Sequence, residues 1–300
     1  MRKGPEVRTV KISEILKNEG RSVSFEVFPP KNETLFDNVK EATRKIAALG
    51  PSFVSVTYGA GGGTSKYTLD IAKNIKKTEG VEAMAHLTCV SSSKATVSEQ
   101  IKALKQAGID NIMALRGDLT PELENGDRSK WDYRYATELV RDIKASGLDF
   151  CIGGACYPEV HPESRNQAED LKYLKEKVDA GCDFLVTQMI FENNLLYNFI
   201  YKALGAGINV PVLPGIMPIT NANQVMRAIK LSGSFMPQRF KSLVDKFGSD
   251  PEAMKQAGII YATDQIIDLF ANGIKHVHVY TMNKPDVAEK ILDNIRCFLG

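Results

Sequence analysis

The stretch Val23-Ser24-Phe25-Glu26-Val27-Phe28-Pro29-Pro30 sets one carboxylate inside an otherwise apolar strand. Alternate side chains of a strand point to opposite faces, so Val23, Phe25 and Val27 share one face and Ser24, Glu26 and Phe28 the other. The two prolines end the strand, because Pro lacks the N–H that a ladder needs. Read locally, Glu26 is either a half-exposed edge residue before a proline stop or a buried carboxyl group. Burial disfavours the charged form of a carboxyl, which makes the second reading a candidate general acid. The local sequence leaves both open.

Outward from this strand, short β-rich runs alternate with longer segments of helical period. Strands are expected at about 22–28, 52–58, 82–89, 109–116, 149–156, 183–190, 209–216 and 275–281. Apolar stripes mark the intervening helices: Ile101, Leu104 and Ile109; Leu171, Leu174 and Val178; Val287, Ile291, Ile295 and Phe298. Thr64, Ser93 and Thr220 are the expected N-caps, and Gly50, Gly108, Gly147, Gly181 and Gly207 the expected helix terminators. Extra helical material, Pro237 to Phe247 and Pro251 to Ala271, falls between the seventh and eighth strands. No domain boundary appears. An open doubly wound sheet of so many units would rarely lack a second domain signal. The pattern therefore predicts an α/β chain folded as a single (β/α)8 TIM barrel over 1–300, with an N-terminal extension over about 1–20 and a helical insertion between strands 7 and 8.

The 38 basic and 36 acidic residues nearly cancel, to a formal net charge of +2. No global field selects nucleic acid or an anionic membrane, so a small soluble partner is expected. The five cysteines, Cys89, Cys151, Cys156, Cys182 and Cys297, are scattered and form no C-x-x-C pair, which argues against a disulfide framework or a structural zinc site. Met1 to Leu16 is charged and lacks an apolar signal core, and no later stretch is apolar enough to span a bilayer. A cytoplasmic protein is expected.

In barrels of this kind the active site is built from the C-terminal strand ends. Polar residues collect there: Glu26, Thr57, Tyr58, His86, Thr88, Arg116, Asp118, Tyr157, Thr187, Gln188 and Tyr280, with His161, Asn283 and Lys284 just beyond. Each would be costly to bury without a partner, so a polar ligand site accounts for them better than packing does. The loop Gly59-Ala60-Gly61-Gly62-Gly63-Thr64-Ser65-Lys66 lies where a phosphate cradle would, yet its spacing fails the dinucleotide and Walker fingerprints. A flexible turn is its simpler reading. His276 and His278 share a strand face and could hold a metal. No carboxylate sits at ligand spacing, so packing and hydrogen bonding are expected of them and no metal site is assigned. No G-x-S-x-G nucleophile motif is present.

Taken together, Ser24-Phe25-Glu26-Val27-Phe28-Pro29-Pro30-Lys31, Phe53-Val54-Ser55-Val56-Thr57-Tyr58-Gly59-Ala60, His86-Leu87-Thr88-Cys89, Ala114-Leu115-Arg116-Gly117-Asp118, Tyr157-Pro158-Glu159-Val160-His161-Pro162 and Lys177-Val178-Asp179-Ala180-Gly181 resemble methylenetetrahydrofolate reductase. Thr187-Gln188, Pro214-Gly215-Ile216-Met217-Pro218 and Tyr280-Thr281-Met282-Asn283 extend the likeness, which runs in order from about Ile12 to the C-terminus. The short bacterial form is the better match, because the chain ends after the last barrel helix.

The resemblance implies FAD at the C-terminal face of the barrel. It implies FAD contacts by Thr57, Tyr58, His86, Arg116, Gly117, Asp118, Tyr135, Ala136, Tyr157, His161, Asp170 and Lys177, and folate contacts by Gln188, Gln224 and Lys284. It further implies a ping-pong exchange in which NADH or NADPH reduces the flavin and departs before methylenetetrahydrofolate binds. Glu26 would then protonate folate N10, and Asp118 would stabilise the resulting iminium ion. Ala228 stands where some members carry an aromatic contact to nicotinamide and folate. A homo-oligomer is implied, and some bacterial relatives take electrons from an accessory electron-transfer protein. Two other readings stand beside this one: a metal-dependent barrel hydrolase using His276 and His278, and a flavin- or folate-binding subunit of a larger electron-transfer complex.

Overall fold

The computed structural model describes residues 10–18, 20–30, 32–58, 65–90, 92–119, 127–128 and 131–299. The glycine-rich run 59–64, with the expected cap Thr64, and Lys31 lie outside the described residues. A short helix α1 (Ile12–Ile15) precedes eight strands: β1 (Ser22–Val27), β2 (Val54–Val56), β3 (Ala83–Thr88), β4 (Asn111–Leu115), β5 (Cys151–Cys156), β6 (Phe184–Ile190), β7 (Val212–Ile216) and β8 (His276–Tyr280). Each pairs in parallel with its sequence neighbour, and β8 pairs with β1 to close the barrel. Between strands run α2 (Phe36–Ala47), α3 (Ser65–Lys77), α4 (Lys94–Ala107), α5 (Ala136–Ala145), α6 (Gln167–Asp179), α7 (Asn193–Gly205) and α8 (Ala222–Ser232). The insertion before β8 consists of α9 (Gln238–Phe247) and α10 (Pro251–Ala271), and α11 (Pro285–Leu299) follows β8.

Strand alternation explains the layers. Val23, Phe25 and Val27 face outward into the large core between barrel and helices, with Ile46, Ile71, Ile291 and Ile295. Ser24 and Glu26 face the lumen, and both are buried. A second cluster joins Phe53, Met84, Met113, Phe184 and Leu213 to Ile12 and Leu16. The N-terminal segment thus plugs one end of the barrel. Asn111 Oδ1 accepts from the Ile12 N–H at 2.9 Å, and the Leu16 carbonyl lies 3.2 Å from His276 Nε2. Polar side chains near the other end therefore border a space that the plug does not fill.

Two local readings change. Asn221, not Thr220, caps α8, its side chain accepting from the Asn223 N–H at 2.8 Å; the Thr220 hydroxyl instead accepts from Lys284 Nζ at 2.7 Å. Ile109 lies beyond the end of α4, in the turn before β4, and is buried there. Ser93 caps α4 through the Thr96 N–H, and the five expected terminator glycines all hold positive φ.

The insertion is held by backbone contact. A Cβ added at Gly258 of α10 would stand 1.8 Å from the Ile219 carbonyl oxygen, so only glycine lets this helix lie against the loop after β7. Nearby, Phe191, Met217, Ile219, Phe240, Met254 and Tyr261 form a satellite core. Gly258→Ala is expected to destabilise the protein by about 1–3 kcal/mol through forced displacement of the helix. Urea unfolding that shows no change in midpoint would remove this contact from the account of the insertion.

Candidate active site

The cavity at the C-terminal strand ends has a volume of about 810 Å³. Glu26 enters it from β1, His86 from β3, Gln188 from β6 and Tyr280 from β8. Arg116, Gly117 and Asp118 line it just past β4, Tyr135 and Ala136 at the start of α5, Tyr157 and His161 after β5, and Asp170 and Lys177 from α6. Apart from Tyr280, these are twelve of the sixteen residues that the resemblance implies for catalysis and binding, and with it they come from six strand ends and two helices.

At the cavity floor, Glu26 Oε2 lies 3.4 Å from His86 Nε2 and 3.7 Å from His278 Nε2. All three side chains are buried. Burial pushes the His86 imidazole down to about 4, against the opposing pull of Glu26 and with a smaller push from His278. His86 is therefore neutral at pH 7. Its Nε2 is buried and finds no hydrogen-bond partner among the described residues, an arrangement that calls for a ligand atom.

The walls carry charge. Arg116 makes a two-pronged bond to Glu163, with NH1 donating to Oε2 at 2.5 Å and NH2 to Oε1 at 3.0 Å. Lys177 donates to the Ala155 carbonyl, and burial lowers its ammonium below the usual range. Tyr157 and His161 meet edge to face, with centroids 4.5 Å apart. Between them Val160 takes φ 75°, a left-handed conformation that a β-branched residue adopts only under constraint. Asp170 accepts from Ser164 Oγ at 3.2 Å, while Asp118 is exposed at the rim.

Gln188 owes its direction to an irregularity. The β6–β7 register shifts between Val186 and Met189, opposite Pro214, which has no N–H to give the ladder. Thr187 compensates: its Oγ1 accepts from the Gly215 N–H at 2.8 Å, and its carbonyl accepts from the Tyr280 hydroxyl at 2.6 Å. A Cβ on Gly215 would stand 2.4 Å from that hydroxyl, so glycine is what lets the Tyr280 ring cross the floor.

Four expected contacts do not line the cavity: Thr57, Tyr58, Gln224 and Lys284. Thr57 is buried with its carbonyl taken by Thr68 Oγ1 at 2.9 Å, and the Tyr58 hydroxyl accepts from Gln100 Nε2 at 2.7 Å. Lys284 is turned to Thr220, and Gln224 sits half-buried in the first turn of α8. Ala228 is packed in the satellite core with Phe191 and Phe240, so it offers the cavity no surface. Of the histidine pair, only His278 lines the cavity. His276 is bonded to Ser22 Oγ at 2.8 Å and to the plug, which splits the pair needed by a metal-dependent hydrolase. Among the described residues, no group of three or more His, Cys, Asp or Glu is placed to hold a metal ion.

Sequence reading gives no role to Glu163 or Ser55, and it expects packing and hydrogen bonding of His278, with metal ligation only in the rival hydrolase reading. Glu163 directly follows a quoted motif, Tyr157 to Pro162, but its pairing with Arg116 joins two separate loops. Ser55 lies inside a quoted motif, Phe53 to Ala60, but its contacts with Glu26 of β1 and His278 of β8 cross strands.

A closed parallel barrel with a charged, partly enclosed cavity at its C-terminal strand ends defines a protein of the TIM-barrel enzyme type. A methylenetetrahydrofolate reductase family model matches residues 11–296. The 5,10-methylenetetrahydrofolate reductase of Pectobacterium carotovorum subsp. carotovorum is 36% identical over 274 residues, covering 91% of this chain and 90% of the relative. The chain belongs to the methylenetetrahydrofolate reductase family. A rice relative, a probable methylenetetrahydrofolate reductase (NADH), is also 36% identical over 92% of this chain. The chain spans about half the length of that relative, 48%. In fold it is similar to a Clostridium thermocellum protein described as binding two copies of 5-methyl-5,6,7,8-tetrahydrofolic acid, with a TM-score of 0.69 at 13% identity over 96% of this chain and 99% of that one.

His86 couples the site to stability. Its folded value lies below the unfolded 6.5, so the unfolded chain binds more protons as pH falls from 6.5 to about 4. The contribution is complete above pH 6.5 and is lost through that window, on the order of 3 kcal/mol for this buried ring. His161 and His276, also lowered by burial, act with the same sign. Urea unfolding between pH 4 and 7 should show a shallower pH dependence in His86→Gln than in the parent; equal slopes would contradict this.

Proposed function

We propose that this protein reduces 5,10-methylenetetrahydrofolate to 5-methyltetrahydrofolate, with FAD held in the cavity and NADH or NADPH as donor, the two substrates taking turns at one site. The observation that carries the reading is Glu26, a buried carboxyl at the cavity floor beside a neutral, unpartnered His86. Membership of the reductase family supports it, as do the residues available to FAD. Arg116 and Lys177 supply cationic donors for a pyrophosphate, Asp170 an acceptor for a ribose hydroxyl, and His86 Nε2 a buried ring nitrogen for a polar edge. Bound FAD would supply hydride storage between the two substrates.

The chain's own part is binding and proton handling. Glu26 delivers a proton to folate N10, which opens the imidazolidine ring to a cationic iminium. The Asp118 carboxylate at the rim stabilises that cation. Gln188 already accepts from the Met189 N–H through Oε1 at 2.9 Å, so its amide NH2 is the group left to donate to the pterin edge. In this reading binding is shared among many residues, and proton delivery rests on Glu26.

Purified protein should take up FAD and show flavin absorption. In anaerobic stopped-flow experiments, Glu26→Gln should retain flavin reduction by NADH or NADPH while folate-driven reoxidation falls by about 10²–10⁴-fold. Reoxidation at the parent rate would take the acid role away from Glu26.

A further inference from the structure

One step of β6 breaks the regular ladder, and the residue beyond it faces the cavity. Val186 pairs with Leu213 and Met189 with Gly215, so Thr187 and Gln188 stand opposite the single residue Pro214. Pro has no N–H, and β7 therefore lacks a ladder donor at this step. Two bonds from outside the regular ladder fill the gap. The Gly215 N–H donates to Thr187 Oγ1 at 2.8 Å. The Tyr280 hydroxyl, from β8, reaches past β7 and donates to the Thr187 carbonyl at 2.6 Å. A carbonyl oxygen only accepts, so the direction of that bond is settled. Gly215 is the residue the ring crosses: a Cβ there would collide with both the Tyr280 hydroxyl and the Thr187 carbonyl.

We propose that Tyr280 is a positioning residue for Gln188: its hydroxyl replaces the ladder donor that Pro214 cannot give, and so fixes the bulge that turns the Gln188 amide into the cavity. The inference rests on Gln188 as a folate contact of the proposed reaction. The bonded carbonyl belongs to the peptide that joins Thr187 to Gln188, so Tyr280 sets the plane of that peptide. On the far side, the Met189 N–H donates to Gln188 Oε1 at 2.9 Å, and the Met189 carbonyl accepts from Ser234 Oγ at 2.7 Å. Gln188 is thus held from before and after, with its NH2 group left to meet a ligand. The crossing ring is itself held, edge to face with His278 at 5.6 Å. Burial, with a smaller push from Glu26, raises the phenol well above its usual range, so the donor keeps its proton at neutral pH. Thr187 is 1% exposed. Without the hydroxyl its carbonyl loses this donor away from water, which favours a turned peptide and a redirected Gln188.

The direct test is a pair of crystal structures, of the parent and of Tyr280→Phe, which keeps the ring and removes only the oxygen. The expected result is a rotated Thr187–Gln188 peptide, with the Gln188 amide drawn off its bond to the Met189 N–H. A peptide and a Gln188 side chain that superimpose on the parent overturn the proposal. This measurement needs neither flavin nor folate. The expected rearrangement in a protein without folate turnover would therefore count against the reaction and not against the role of Tyr280.

The second test reads folate binding against turnover and against flavin binding. In Tyr280→Phe the KM for methylenetetrahydrofolate should rise about tenfold, while kcat stays within about threefold and the Kd for FAD within about twofold of the parent, because only the pterin contact is disturbed. General loosening of the site would weaken FAD binding as well and would overturn the proposal. A double-mutant cycle separates action through Gln188 from direct contact with the ligand: Gln188→Ala should raise KM about as much alone as together with Tyr280→Phe. Rises that multiply in the double variant, or an unmoved KM in Tyr280→Phe, overturn the proposal. Should Tyr280→Phe fail to fold, Thr187→Val, which removes the other bond at the bulge, is expected to show the same rise and the same dependence on Gln188; an unmoved KM there overturns it.

Discussion

The pairing of β1 with β8 is the constraint on which the rest depends. It closes the sheet with Ser24 opposite His278 and Glu26 opposite Tyr280. Register in a strand pair sets the face of every side chain, and a slip of one residue would turn Glu26 into the outer core. The same closure buries the carboxyl among His86, His278 and Ser55 without a formal countercharge beside it. Unpartnered burial of polar groups is expensive, and the hydrogen-bonded line from Ser55 to Ser24 is what offsets it.

The barrel divides its labour between its ends. At the plugged end, charges are matched: buried Lys76 lies 2.8 Å from Glu82 and 3.5 Å from Asp110, and Asn111 ties Glu82 to the plug. At the open end, groups are left with unused capacity, among them His86 Nε2 and the outward amide of Gln188. Conserving stability at one face and leaving bonding capacity at the other is the division expected of barrel enzymes. The Arg116–Glu163 pair is intermediate, a satisfied bond whose fork also suits a phosphate.

The eight strands and the insertion were legible because their signals are local. Period-two runs stopped by Pro or Gly mark strands, and 3.6-residue stripes mark helices. The bulge at Thr187 and Gln188 was not legible, since it arises from the meeting of Pro214 with β6 across two elements. Thr220 was misread as a cap because Thr and Asn bear similar cap chemistry at adjacent positions. Their true roles depend on where Lys284 reaches.

From the amino-acid order alone came the barrel, the face that Glu26 shares with Ser24 and the ring of polar strand ends, since these rest on periodicity within elements and on their order along the chain. That this face is the inner one was decided by closure. Tertiary structure alone decided which groups meet: His278 with Glu26 through Ser55, Glu163 with Arg116, Lys284 with Thr220. Periodicity states which face a side chain occupies. It carries no information on the register between distant strands or on the rotamer that completes a contact, and both follow from closure and packing of the whole barrel.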